Sequence, residues 1–107
     1  MLTILLLLAL GPVSVRVSPA VQIYNYKNSI YVEVVVPRNP DNRLLTIEFY
    51  NSFSEIELHG DNSLPIFRRV AHNIEPGEYE VIATLYRVVN GKTQVFTAKA
   101  RFIVGGA

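Results

Sequence analysis

EYEVIATLYRVVNGKTQVFTAKARFIV, from Glu78 to Val104, reads as a β-hairpin almost residue by residue, and it decides the fold. Tyr79, Val81, Ala83 and Leu85 alternate with Glu80, Ile82, Thr84 and Tyr86. Asn90-Gly91 supplies a two-residue turn, whose positive-φ positions these two residue types tolerate best. With that pair as the loop, Val89 faces Lys92 and every later pairing follows. The expected inward pairs are Leu85–Phe96, Ala83–Ala98, Val81–Ala100 and Tyr79–Phe102. The outward pairs are Tyr86–Val95, Thr84–Thr97, Ile82–Lys99 and Glu80–Arg101, so the one opposed charge pair has opposite signs. An antiparallel β domain follows.

Working outward, Ile30–Val36 (IYVEVVV) reads as a strand whose single charge, Glu33, belongs in solvent. Ile30, Val32, Val34 and Val36 then face the core, and Tyr31 and Val35 do not. Pro37–Asn42 (PRNPDN) is a turn cluster. Leu44–Tyr50 is the next strand, with Leu45, Ile47 and Phe49 inward and Leu44, Thr46, Glu48 and Tyr50 outward. A short strand spans Glu55–Leu58, with Ile56 and Leu58 inward, and Gly60-Asp61-Asn62 ends it. Pro65–Ile74 is a strand of ambiguous register. Ile66, Val70 and Ile74 form one stripe and Phe67 and Ala71 the other, with Arg68-Arg69 offending either, and a bulge would reconcile them. Val13–Ser18 alternates and stops at Pro19, as an opening edge strand would. Seven short strands at about ten-residue spacing point to a two-sheet sandwich spanning residues 13–104, with a tail at 105–107.

The chain has 107 residues, half of them apolar, which suits one sandwich of roughly 100 residues. Net charge is +1 with basic residues scattered, so no electrostatic footprint for nucleic acid or an anionic membrane is present. The absence of cysteine removes disulfides, thiolate metal sites, cysteine catalysis and a lipoprotein anchor. Leu2–Leu10 (LTILLLLAL) is too short to span a bilayer by about half and has the length of a signal-peptide apolar region. Residues 1–12 are therefore expected to be a leader, with a secreted or periplasmic mature protein that does not engage the membrane. No Lys or Arg precedes the run, and neither Ala9-Leu10-Gly11 nor Ser18-Pro19-Ala20 is a good cleavage site. The expectation is that the true start lies upstream or that the chain is a fragment.

Ile74-Glu75-Pro76-Gly77-Glu78-Tyr79-Glu80-Val81 is similar to the apolar-x-Pro-Gly-x-Tyr-x-Val signature before strand F of many bacterial immunoglobulin-like and fibronectin type III-like domains. The resemblance implies a "tyrosine corner", in which the Tyr79 hydroxyl bonds backbone just upstream and Gly77 shapes the turn. Val81 then sits where an antibody domain has its second cysteine, and Val13–Pro19 looks like the family's opening strand. Transthyretin-like and carboxypeptidase-regulatory domains share a Pro-Gly-x-Tyr turn, so the motif points to the sandwich class. The Trp of antibody strand C is lacking, with Phe49 as the residue to fill its volume. The expected fold is all-β, a two-sheet antiparallel immunoglobulin-like sandwich of about seven strands.

Residues with chemistry are few. His59 and His72 are the only histidines, which rules out a three-histidine zinc site. His59 and Asp61 form at most a two-ligand pair in a turn, and His72 reads as a rim residue. Ser52, Ser54 and Ser63 lack a nucleophile-elbow context. Glu55 and Glu57 share a solvent face, and the Asp41 and Asp61 loops each offer one carboxylate where calcium wants several. No enzyme activity, cofactor or metal is expected.

Tyrosine is the stronger lead, with six in the chain. If the topology is immunoglobulin-like, the Leu44–Tyr50 strand and the two hairpin strands share a sheet, and its outer face carries Leu44, Tyr50, Ile82, Tyr86 and Val95 with Thr46, Thr84 and Thr97, rimmed by Glu48, Glu80, Lys99 and Arg101. An apolar, tyrosine-bearing patch with a charged rim is interface-like. The expectation is an exported, non-enzymatic module that binds another protein or serves a structural role. Two alternatives stay open: a carbohydrate-binding module with Tyr24 and Tyr26 as an aromatic platform beside Asn25 and Asn28, and an inhibitor presenting sandwich-end loops to a protease.

Overall fold

Asn90 and Gly91 both have positive φ, 52° and 77°, so the hairpin turns through a type I′ geometry whose twist matches that of the strands. Every pairing expected across it is present, from Val89 opposite Lys92 to Tyr79 opposite Phe102. The computed structural model describes residues 12–18, 29–60 and 65–105. Leu2–Leu10, Tyr24, Tyr26, Asp61 and Ser63 lie outside the described residues.

Seven strands run through the described residues: β1 Ser14–Ser18, β2 Ile30–Val35, β3 Asn42–Phe49, β4 Ser52–Glu57, β5 Ile66–Ala71, β6 Gly77–Val89 and β7 Lys92–Val104. They form two antiparallel sheets, ordered β1-β2-β5 and β4-β3-β6-β7, an all-β sandwich compatible with an immunoglobulin-like fold. The core lies between the sheets. Val32 and Val34 from one sheet meet Leu45, Ile47, Val81, Ala83 and Leu85 from the other, all of them fully buried. Burial of a Val or Leu side chain contributes about 1.5–3 kcal/mol, so this row accounts for the absence of any need for disulfides. Phe49 is buried too, its ring 6.0 Å from that of Phe102.

Four expectations need correction. Asn42, assigned to a turn cluster, is the first residue of β3 and is buried. It faces Arg87 across a register shift between Asn42 and Leu44, an irregularity that turns its amide inward. The fourth strand starts at Ser52 rather than Glu55, because Phe53 and Ser54 continue its pairing with Glu48 and Ile47. No bulge interrupts β5, whose register against β2 is regular from Ile66 to Ala71. Phe67, Arg69 and Ala71 take the inner row, and Arg69 donates from Nε to Ser54 Oγ on β4 at 3.3 Å. A cation is tolerated in that row because β5 and β4 are edge strands, so Arg69 closes the side of the sandwich without entering its centre. Arg68, on the outer row, donates to Glu33 at 3.1 Å. The fourth correction concerns Tyr50. The strand ends at Phe49, and Tyr50 occupies the following turn with φ 55°. Positive φ breaks the alternation that would have sent its side chain to the outer face.

Candidate interaction face

The register of the four-stranded sheet assembles its outer face in rows. Glu57, Leu44, Tyr86 and Val95 lie in one row across β4, β3, β6 and β7. Glu55, Thr46, Thr84 and Thr97 form the next, and Phe53, Glu48, Ile82 and Lys99 the third. Leu44, Ile82, Tyr86 and Val95, four of the five residues expected on this face, are thereby brought together. Val95 is 55 % exposed, whereas Leu44, Ile82 and Tyr86 are half-buried by their neighbours. Thr46 is only 6 % exposed although it points away from the core. Its cross-strand neighbours are Glu55 on β4 and Thr84 on β6.

Phe53 joins this face and was missed. It stands at the β4 end of the third row and is 59 % exposed. Its alternation with Glu55 and Glu57 was visible in the sequence, but starting the strand at Glu55 left Phe53 in a loop. None of Glu48, Glu55, Glu57, Lys99 and Arg101 takes part in an ion pair among the described residues. The face carries acid on β4, on β3 at Glu48 and on β6 at Glu80, base on β7, and an apolar and threonine-rich centre in its first two rows.

Tyr50 belongs to a different place, the corner around Tyr79. Its ring meets that of Tyr79 edge-on at 5.5 Å, and Tyr79 in turn stacks on Phe102 at 5.4 Å. The Tyr79 hydroxyl donates to the Glu75 carbonyl oxygen at 2.5 Å, backbone four residues upstream. The ring is half-buried rather than fully enclosed. Desolvation raises the hydroxyl pKa above its ordinary value, with Tyr50 and Glu75 adding to the shift. Gly77 lies against this ring, where a Cβ would make ordinary contact at 3.4 Å from the Tyr79 hydroxyl oxygen, so its φ of 156° and not the space around it favours glycine. The corner joins the β5–β6 connection to the hairpin.

His72 is exposed, and its Nδ1 lies 2.7 Å from Ser29 Oγ. The pair ties the start of β2 to the end of β5. No carboxylate contacts His72 among the described residues, so the pair lacks the third group that orients a catalytic imidazole. Nor do three His, Asp or Glu side chains among the described residues converge as metal ligands would. The chain matches no protein-family model and no curated protein.

Proposed function

We propose that the chain is an exported domain of the immunoglobulin-like or fibronectin type III-like kind, and that it works by binding another protein, not by catalysis. Family-level kinship is supported by the strand order of the two sheets and by the Tyr79–Glu75 bond, which the signature at Pro76-Gly77 implies. Export is supported by the Leu2–Leu10 run. The binding surface is the outer face of β4-β3-β6-β7. The observation that carries this reading is the row Leu44–Tyr86–Val95, an apolar strip across three adjacent strands in a row whose one charge is Glu57 at its β4 end, with exposed Phe53 two rows away. Tyrosine at such a site provides large contact area with few torsions to freeze.

Capture from an envelope extract followed by titration tests the reading. Tyr86→Ala is expected to weaken the complex by about 2 kcal/mol, in the hot-spot range. The isolated domain should lose no more than about 1 kcal/mol, the scale of a cross-strand pair. His59→Ala and His72→Ala should bind as the unaltered protein does. Normal binding by Tyr86→Ala alongside failure of a histidine variant would place the site elsewhere.

A further inference from the structure

The four-stranded sheet ends in two open edges whose residues complement each other. β4 and β7 are its outermost strands, and neither has a second hydrogen-bonded neighbour among the described residues. The Leu58 N–H donates to the Arg43 carbonyl, so Arg43 and Leu58 form a hydrogen-bonded pair. Alternation from that pair turns the backbone groups of Phe53, Glu55 and Glu57 away from β3. On β7 the same alternation, counted from the Val89–Lys92 pair that closes the turn, points those of Lys99, Arg101 and Ile103 away from β6. All six side chains are exposed. We propose that β4 of one copy adds to β7 of another as an antiparallel strand, so that the sheet continues from chain to chain. The contact uses the edges of the sheet and does not depend on the outer face being the binding surface.

One register satisfies every position. Setting Glu57 opposite Lys99 also sets Glu55 opposite Arg101 and Phe53 opposite Ile103. Two carboxylates then meet two cations, none of which has an ion-pair partner within its own chain among the described residues. Phe53 and Ile103 are the two most exposed large hydrophobic side chains among the described residues, at 59 % and 60 %, and here they cover each other. On the inner side half-buried Ile56 falls opposite half-buried Ala100, a large side chain against a small one. Arg101 lies between Glu80 of its own hairpin and the incoming Glu55. A slip of two residues leaves one charge pair and sets either Phe53 against Arg101 or Ile103 against Glu55. A slip of one turns the inner row outward. Pairing either edge with itself gathers Glu55 and Glu57, or Lys99 and Arg101, on both sides. Because the two edges differ, the contact is head-to-tail and repeats from copy to copy. Only the six residues of β4 overlap, so the association is weak and concentration-dependent.

Disulfide trapping on the full chain tests this, since the chain has no cysteine of its own. Facing residues of a hydrogen-bonded pair lie about 5.5 Å apart between Cα atoms, a distance that a disulfide spans. Mixed under oxidising conditions, a Phe53→Cys chain and an Ile103→Cys chain should link 53 to 103, as read by mass spectrometry of the joined peptides. Thr97→Cys in place of Ile103→Cys puts the thiol on the same edge and face but about 20 Å away, and should lower the yield at least about tenfold. Glu57→Lys added to the Phe53→Cys chain should slow linking about threefold or more. Lys99→Glu added to the Ile103→Cys chain should then recover most of the rate. Unchanged thermal midpoints verify that the variants are folded. If a midpoint falls, the pair Glu57→Cys and Lys99→Cys reads the same register in its place. Equal yields from Ile103→Cys and Thr97→Cys overturn the proposal, as do chains that link to their own copies as readily as to each other. Failure of Lys99→Glu to restore the rate overturns it too.

Discussion

Arg87 donates from Nε to Asn42 Oδ1 at 2.8 Å, and through that bond the long hairpin holds the loop that crosses between the two sheets. Asn42 completes the link by donating from Nδ2 to the Pro37 carbonyl at 3.1 Å. The same loop accepts a backbone bond from Val88 at Asp41. The Arg87 guanidinium lies 5.4 Å from the centre of the Phe96 ring, so packing as well as hydrogen bonding holds it in place.

Asn42→Ala should therefore lower stability by about 1–3 kcal/mol, the cost of leaving a buried donor or acceptor unpaired. Arg87→Ala should cost less once Asn42 is already gone. Urea denaturation of the two single variants and the double variant gives the coupling, expected to be at least about 0.5 kcal/mol for groups in direct contact. Strict additivity would show that the bond contributes nothing.

Tyr79→Phe should lower the urea midpoint, since the Glu75 carbonyl loses its donor. The pH dependence has a definite sign. The folded hydroxyl has a pKa above 10.0 and the unfolded one returns to about that value, so the folded state holds its proton longer. Its stabilising contribution is complete below pH 10 and is lost as pH rises through the folded pKa. Above pH 10 the difference in stability between the unaltered protein and Tyr79→Phe should narrow. A difference that stays constant or widens there contradicts the corner geometry.

Two glycines should respond unequally to alanine. Gly60 has φ 64°, and a Cβ on it would meet Pro40 backbone atoms at 3.1 and 3.2 Å. Gly91 has φ 77° with open space around it. Both substitutions carry the cost of a left-handed alanine, about 1–2 kcal/mol. Only Gly60→Ala adds a tight contact, with backbone that must give by a few tenths of an ångström, so its thermal midpoint should fall further. Equal shifts would mean that the Gly60–Pro40 contact is slack.

Phe53→Ser separates binding from folding. The side chain is exposed on an edge strand, and its loss should change stability by no more than about 0.5 kcal/mol. If the outer face is the working surface, the same substitution weakens partner binding. A variant that folds and binds unchanged would confine the interface to the Leu44–Tyr86–Val95 row.

By itself the sequence determined the number and order of the strands, the hairpin register down to each pair and the inward row of β2 and β3. A two-residue turn leaves one register open, and a period of two then assigns every later side chain to a face. Leu45, Ile47, Val81, Ala83 and Leu85 follow from that rule alone. Tertiary structure decided what alternation does not control. Tyr50 left the outer face because one positive φ reverses a side chain, and no pattern of residue types announces that torsion. Asn42 became a buried hub because Arg87, 45 residues away, brings a charge-assisted bond to it. Arg69 took an inner row because its strand proved to be an edge, a property of sheet order rather than of local composition. The outer face itself was half legible. Its residues could be read strand by strand, but their neighbours across the sheet, and the separation of acid on β4 from base on β7, exist only once β4-β3-β6-β7 is assembled.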